Sequence, residues 1–365
     1  MLLSAIFSSQ DRKRSSFIVA YVLCAVVFFT YFAIRGLLAL PDPGLDGALS
    51  RISPVLIIAL IVWFRPPNVD FVFPLLAVAI VPMAVVLLGL VERTLFVNHL
   101  RIELLAGNPL FLTPALIPLG YLNSFLALRA QSVQRQLFHY VGLFAVLFSI
   151  GTLAGSRSSF AVILAALVLH LVWTWLFSLN KVRKLRAVHT VVVVLTVLAS
   201  IWCAMNLGPS ASRMSEFASS TGDVFSSSVR LEMWRGALAA IMEEPVFGYG
   251  PQNRWAALEG FTRPEISGLK LSHPHNLIMT YGLAGGVFGI VIGLSYVFVP
   301  NMLLLVSKRF SASDKELFFV APAAVFAFGL ANYVLFEGYM ATVTTLTLLG
   351  PYFLYVGQRD ARYHW

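Results

Sequence analysis

Ten apolar stretches, each close to the roughly 20 residues that cross a bilayer as a helix, leave this chain little choice of surroundings. They fall at residues 16–38, 48–64, 69–91, 109–128, 136–154, 158–178, 187–207, 276–306, 317–336 and 339–356. In hydrocarbon each backbone N–H and C=O needs a partner within the protein, and a helix supplies it inside the segment. The composition agrees, with 58% apolar and 12% charged residues and a mean hydropathy of +0.81, where a soluble domain carries about 25% charged residues. The expected fold class is all-α, a polytopic helical membrane protein with residues 1–365 as a single integral domain. Pro54, Pro74, Pro82, Pro114 and Pro118 predict kinks within their helices.

The net charge of +9 would suggest nucleic acid for a soluble chain, but here the basic residues lie mostly in short runs between the apolar stretches, so the expected partners are membrane lipids and not nucleic acid. With the N-terminus in the cytoplasm, fifteen Lys and Arg fall on the inner side against five in the short outer connections, and both termini lie inside. Arg12-Lys13-Arg14 precedes an apolar run too long for a signal-peptide core, which reads as a retained first span. Cys24 and Cys203 sit in separate apolar stretches and suggest neither a disulfide framework nor a thiolate metal site.

One long polar island interrupts this pattern, residues 208–275, placed outside the cytoplasm between the seventh and eighth spans. The turn Gly151–Ser159 emerges on the same outer face, so that Arg157, Arg230 and His275 can meet. Gly151, Gly155, Ser156, Ser158 and Ser159 are small and would let a backbone and a helix N-terminus approach an anion beside Arg157, although a span-end arginine can equally snorkel to lipid phosphates. Ser226–Ser228 reads as an N-cap for a helix that Pro245 stops. Arg230 would then lie in the first turn, facing a phosphate beside the helix's positive end. Arg230, Trp234, Ala237 and Ile241 share one face, with Trp234 as an interfacial membrane anchor; Arg235 faces solvent. Pro245 to Asn253, including Gly248-Tyr249-Gly250, reads as a turn and not as a nucleotide loop. His273 and His275 lack acidic or thiol partners at metal-ligand spacing. His275 at a helix start would titrate below its usual range and remain a base, while His273 reads as structural support. His170 reads as a hydrogen-bonded core or interfacial residue.

Taken in order, Gly155-Ser156-Arg157, Arg230 to Trp234, Pro245 to Gly250, His273 to Asn276 and Gly285-Gly286 resemble the O-antigen ligase and polymerase family of bacterial envelope glycosyltransferases. The resemblance covers about residues 150–290 and implies a GT-C-like membrane fold in the bacterial inner membrane with a periplasmic active site. It implies inverting transfer of a glycan from undecaprenyl pyrophosphate to an acceptor hydroxyl, on lipid A-core or on a growing glycan, with no metal, nucleotide or other cofactor. By this carry-over His275 acts on the acceptor, Arg157 and Arg230 hold the pyrophosphate, and Ser156, Tyr249, His273 and Asn276 complete the binding site. A polymerase of the same family and a flippase for a lipid-linked saccharide are the alternative expectations. A flippase would place ionisable residues near the bilayer midplane.

Overall fold

The computed structural model describes residues 16–39, 46–64, 72–95, 109–177, 183–207, 222–263, 274–308, 310–331 and 338–361. His273 lies outside the described residues, as do the greater part of the connections on either side of the helices in the polar island. Each of the ten expected spans is a helix: α1 Ser16–Leu38, α2 Asp46–Phe64, α3 Val72–Leu95, α4 Pro109–Arg129, α5 Val133–Phe148, α6 Arg157–Phe177, α7 Arg183–Leu207, α10 Leu277–Val306, α11 Ala312–Ala331 and α12 Gly338–Ala361. The polar island supplies α8, Gly222–Glu243, and α9, Gly250–Gly260. The chain is a helical polytopic membrane protein, and among the described residues six helices are long and apolar enough to cross a membrane: α1, α3, α5, α6, α7 and α10.

Exposure distinguishes these helices from α4 and α11. The six qualifying helices turn large apolar side chains outward, among them Leu23, Leu87, Leu176, Leu195 and Val291, where lipid is the natural solvent. The helices α4 and α11 instead bury polar groups, Thr113, Asn123 and Ser124 on one and Glu316 on the other. Thr113, Asn123 and Glu316 have protein partners, as Asn123 Nδ2 has the carbonyls of Val78 and Leu119. Glu316, which the sequence places before the ninth span, is 2% exposed, because α11 starts five residues earlier than expected.

Contacts between the helices give their directions. Tyr21 meets Tyr296 and Tyr31 meets Gly285, so α1 and α10 run antiparallel. His170 meets Glu316 and the Trp173 indole reaches the Ala312 carbonyl, so α6 and α11 are antiparallel too. Thr113 lies 2.7 Å from Ser159, which sets the starts of α4 and α6 side by side. One end of the bundle therefore collects the ends of α1 and α11 with the starts of α4, α6 and α10. The main core runs through these helices. A smaller cluster, Ala237, Ala240, Leu258 and Leu283, fastens α8 and α9 onto the start of α10.

Candidate functional site

The helix bearing Arg230 does not begin where its serines suggest. It starts at Gly222, so Ser226–Ser228 lie inside it and Arg230 sits two turns in, beyond the reach of the N-terminal dipole. Of the face formed by Arg230, Trp234, Ala237 and Ile241, the last two pack on protein while Arg230 is exposed. Ala237 is fully buried, and Ile241 abuts Gly282 so closely that an added Cβ would come within 2.5 Å of it. Trp234, expected as a membrane anchor, instead donates its indole N–H to the Pro274 carbonyl at 2.7 Å. That bond ties α8 to the residue before His275. Arg235 is exposed as expected and lies 3.8 Å from Glu232, which also meets Arg263 at 3.3 Å.

Chain folding around His275 is specific. Its backbone is left-handed, with φ of 48°, a conformation that costs a residue with a Cβ about 1–2 kcal/mol. Asn276 then caps α10: its Oδ1 accepts from the N–H groups of Ile278 and Met279 at 2.9 and 3.2 Å, and its Nδ2 lies 3.4 Å from the Leu330 carbonyl. Both ends of the Asn276 amide are thus engaged by protein. His275 is pushed down to about 4, first by burial and second by the Arg230 guanidinium. The direction is the expected one, while the cause is burial and a like charge more than the helix start. Arg230 and His275 are therefore electrostatic neighbours.

Arg157 is exposed at the first position of α6, at the same end of the bundle as His275. The segment before it is not a simple turn: Ser149–Leu153 is a π-helical turn, closed by Ala154 N–H to the Ser149 carbonyl at 2.8 Å, and Gly155 follows with φ of 59°. The Ser156 N–H is bonded to the Ile150 carbonyl at 3.0 Å, and its hydroxyl, buried, donates to Ser159 at 2.9 Å. Ser156 thus shapes the start of α6 from inside the protein. Tyr249 donates its backbone N–H to Leu283 and its hydroxyl to Ala240, and burial, followed by the nearby Glu243 and Glu244, raises its phenol above the usual range.

The turn between α8 and α9 has a role that its sequence did not reveal. Inside α10 the helix breaks at Gly286 (φ 59°, ψ −152°), and the groups that the break frees are paired by this turn. Tyr249 N–H reaches the Leu283 carbonyl at 2.8 Å, and Val287 N–H reaches the Pro245 carbonyl at 2.7 Å. Glycine is needed on both sides. A Cβ on Gly248 would fall 2.6 Å from Gly286 N, and one on Gly286 would fall 2.3 Å from the Val246 carbonyl carbon. Arg35 at the end of α1 closes the joint with bonds to the Phe247 and Gly248 carbonyls at 2.9 and 2.7 Å.

Helix α9 begins at Gly250, where the sequence suggested that the turn continues to Asn253, and Pro251 occupies its first turn. It carries Arg254, which is 3% exposed with its guanidinium 4.2 Å from the Trp255 ring. This buried cation in the polar island was missed with the helix that bears it.

No curated protein matches the chain. Residues 142–294 match the family described as O-Antigen ligase (Wzy_C), a stretch that contains the π-turn, Arg157, Arg230, the interlocked glycines and His275. Over residues 142–294, the stretch that holds the candidate site, the chain is similar to the O-antigen ligase family.

Proposed function

We propose that the protein transfers a glycan from undecaprenyl pyrophosphate to an acceptor hydroxyl, on lipid A-core or a comparable acceptor, at the periplasmic face of the bacterial inner membrane. The observation that carries this reading is the pairing of a half-buried, low-titrating His275 with the Arg230 guanidinium, at the bundle end where Arg157 is exposed, within the stretch matched to the family. His275 takes the proton of the acceptor hydroxyl as its oxygen bonds the anomeric carbon. The bond to the pyrophosphate breaks on the opposite side, giving inversion, and Arg157 and Arg230 stabilise the departing charge bidentately, so that no divalent cation is required. Trp234 and Asn276 position His275 by holding the residues on either side of it.

The depressed pKa has a use in this scheme. Before the donor arrives, His275 is uncharged and does not compete with the pyrophosphate for Arg230. Once the anion binds, its charge offsets the guanidinium and raises the basicity of His275 toward the range where a general base works best.

The decisive variants are His275→Ala and His275→Gly in purified protein supplied with the carrier-linked glycan, lipid A-core and a chelator. Both are expected to lose transfer by at least about 10²-fold. His275→Gly, free of the left-handed penalty, should also be the more stable of the two by about 1 kcal/mol. Normal transfer by either sinks the mechanism. Product on lipid A-core indicates a ligase, and longer carrier-linked chains indicate a polymerase.

A second reading, a transporter for the lipid-linked saccharide, draws support from one observation, the burial of His170, His189 and Glu316 inside the bundle. It predicts that His275 variants alter the amount of donor on the outer leaflet, whereas a transferase leaves donor there and loses only product.

A further inference from the structure

Away from the site, five polar side chains from five helices form one continuous chain through the bundle. The hydroxyl of Tyr140 on α5 lies 2.7 Å from His189 Nδ1 on α7, and His189 Nε2 lies 2.9 Å from His170 Nε2 on α6. His170 Nδ1 bonds the Glu316 carboxylate on α11, and Tyr121 on α4 donates to the same carboxylate oxygen at 3.2 Å. His170, His189, Glu316 and Tyr121 are between 0 and 4% exposed, while Tyr140 is only half-buried. The chain therefore has one end near the surface and one deep inside. Along α6, thirteen residues separate His170 from Arg157, a rise of about 20 Å, so this layer is remote from His275.

The geometry restricts where the hydrogens sit. Two imidazoles facing each other through Nε2 share a single hydrogen, and a neutral imidazole carries one N–H, so with both rings neutral the polarity of one bond sets the rest. In the first arrangement Tyr140 donates to His189, His189 to His170, and His170 to an ionised Glu316. In the second every bond is reversed: a protonated Glu316 donates to His170, His170 to His189, and His189 to the Tyr140 oxygen. The two differ by one proton.

We propose that this chain is a proton relay, which loads the buried Glu316 with a proton taken up from water at Tyr140. Tyr140 passes its hydroxyl proton to His189 Nδ1 and takes a replacement from solvent. His189 passes its Nε2 proton to His170, and His170 passes its Nδ1 proton to Glu316. Each bond to hydrogen breaks as the next forms. Both imidazoles end in the opposite tautomer, one solvent proton is consumed, and the net charge of the chain changes from −1 to 0. Among the described residues, the charged or titratable groups beside it include His139, next to Tyr140 on α5, Arg186, one turn before His189 on α7, Arg129, whose charge reaches Tyr121 on α4, and Lys315, next to Glu316 on α11. On α10, also packed against α11, Tyr296 is bonded instead to Tyr21 and to Thr345 of α12.

The relay has an output. Tyr121 also lines an apolar cavity of about 240 Å³ between α4, α11 and α12, bounded by Pro118, Leu122, Ala324, Val343 and Gly350. Neutralising Glu316 weakens the charge-assisted bond that fixes the Tyr121 hydroxyl. Proton loading is thereby coupled to the freedom of a cavity wall. None of this depends on the transferase reading.

Infrared spectroscopy of the full-length protein in lipid nanodiscs tests the proposal through the carboxylic-acid C=O band. A change of bulk pH is expected to reveal a protonated-carboxyl band that Glu316→Gln removes. Glu316→Asp, which keeps an acid there, identifies the band by its shift if Glu316→Gln does not fold. After a pH jump, Tyr140→Phe and His189→Phe should retain the band but slow its appearance by about 10²-fold. A band that survives Glu316→Gln, fails to shift in Glu316→Asp, or appears at the wild-type rate in both relay variants overturns the proposal, as does the absence of any such band after the pH is lowered.

Discussion

At His275 three properties meet in one residue: a left-handed backbone, partial burial, and a guanidinium neighbour. Each is unfavourable for a histidine that serves only as packing, and together they describe a base held ready. The pKa near 4 predicts a particular pH dependence. For free enzyme, kcat/KM should stay level through the range near 6.5 where an ordinary histidine titrates, and fall only as pH approaches about 4. With donor bound beside Arg230, the limb in kcat should lie at higher pH than the limb in kcat/KM. Arg230→Gln should raise the kcat/KM limb by the smaller part of the displacement, since burial is the larger cause. Steady-state profiles of the two proteins measure this, and an unmoved limb would exclude Arg230 as the neighbour. The same shift bears on stability: the unfolded chain binds a proton on His275 more readily, so folding weakens as pH falls from about 6.5 through about 4.

Between elements, the joint of the α8–α9 turn with the break in α10 predicts coupling between positions far apart in sequence. Gly248→Ala and Gly286→Ala each place a Cβ against backbone at a positive φ and should each destabilise by at least about 2 kcal/mol. The double variant should cost clearly less than the sum, because either change alone already separates the turn from α10. Thermal unfolding of the four proteins in one lipid system completes the cycle, and strict additivity would refute a shared joint. Much at this scale was legible in the sequence. The positions of the helices at the ten apolar stretches followed from apolarity, and Pro245 ended its helix as its missing N–H requires. What escaped was local or remote. Gly250-Pro251 reads as a turn although proline is at home in a helix's first turn. Ser226–Ser228 resembles a cap although the helix already runs through it. The partners of Trp234 and His170 lie 40 and 146 residues away, where no periodicity points.

Over the whole molecule, the alternating helix directions give two ends of unlike character, with His275, Arg230 and Arg157 at one and the connection between α4 and α5, around Gln131 and Ser132, at the other. If the first end is periplasmic, a cysteine replacing the exposed Glu259 should react with a membrane-impermeant maleimide in intact cells. One replacing the exposed Gln131 should react only after permeabilisation, in a background with Cys24 and Cys203 changed to Ala. The reverse pattern would invert the orientation inferred from the basic residues. The joint at Gly286 also limits how members of such a family can be recombined. The polar island is not an autonomous insert, because its turn completes the hydrogen bonding of a membrane helix and is held by Arg35 from the first span. A chimaera that imports another protein's loop would have to import the matching stretch of α10, Gly282–Val287, and the end of α1 with it; grafted alone, a foreign loop would leave carbonyl and amide groups of α10 bare within the fold. Exchange of acceptor specificity by loop swapping is therefore expected to succeed in blocks of three segments and to fail one segment at a time.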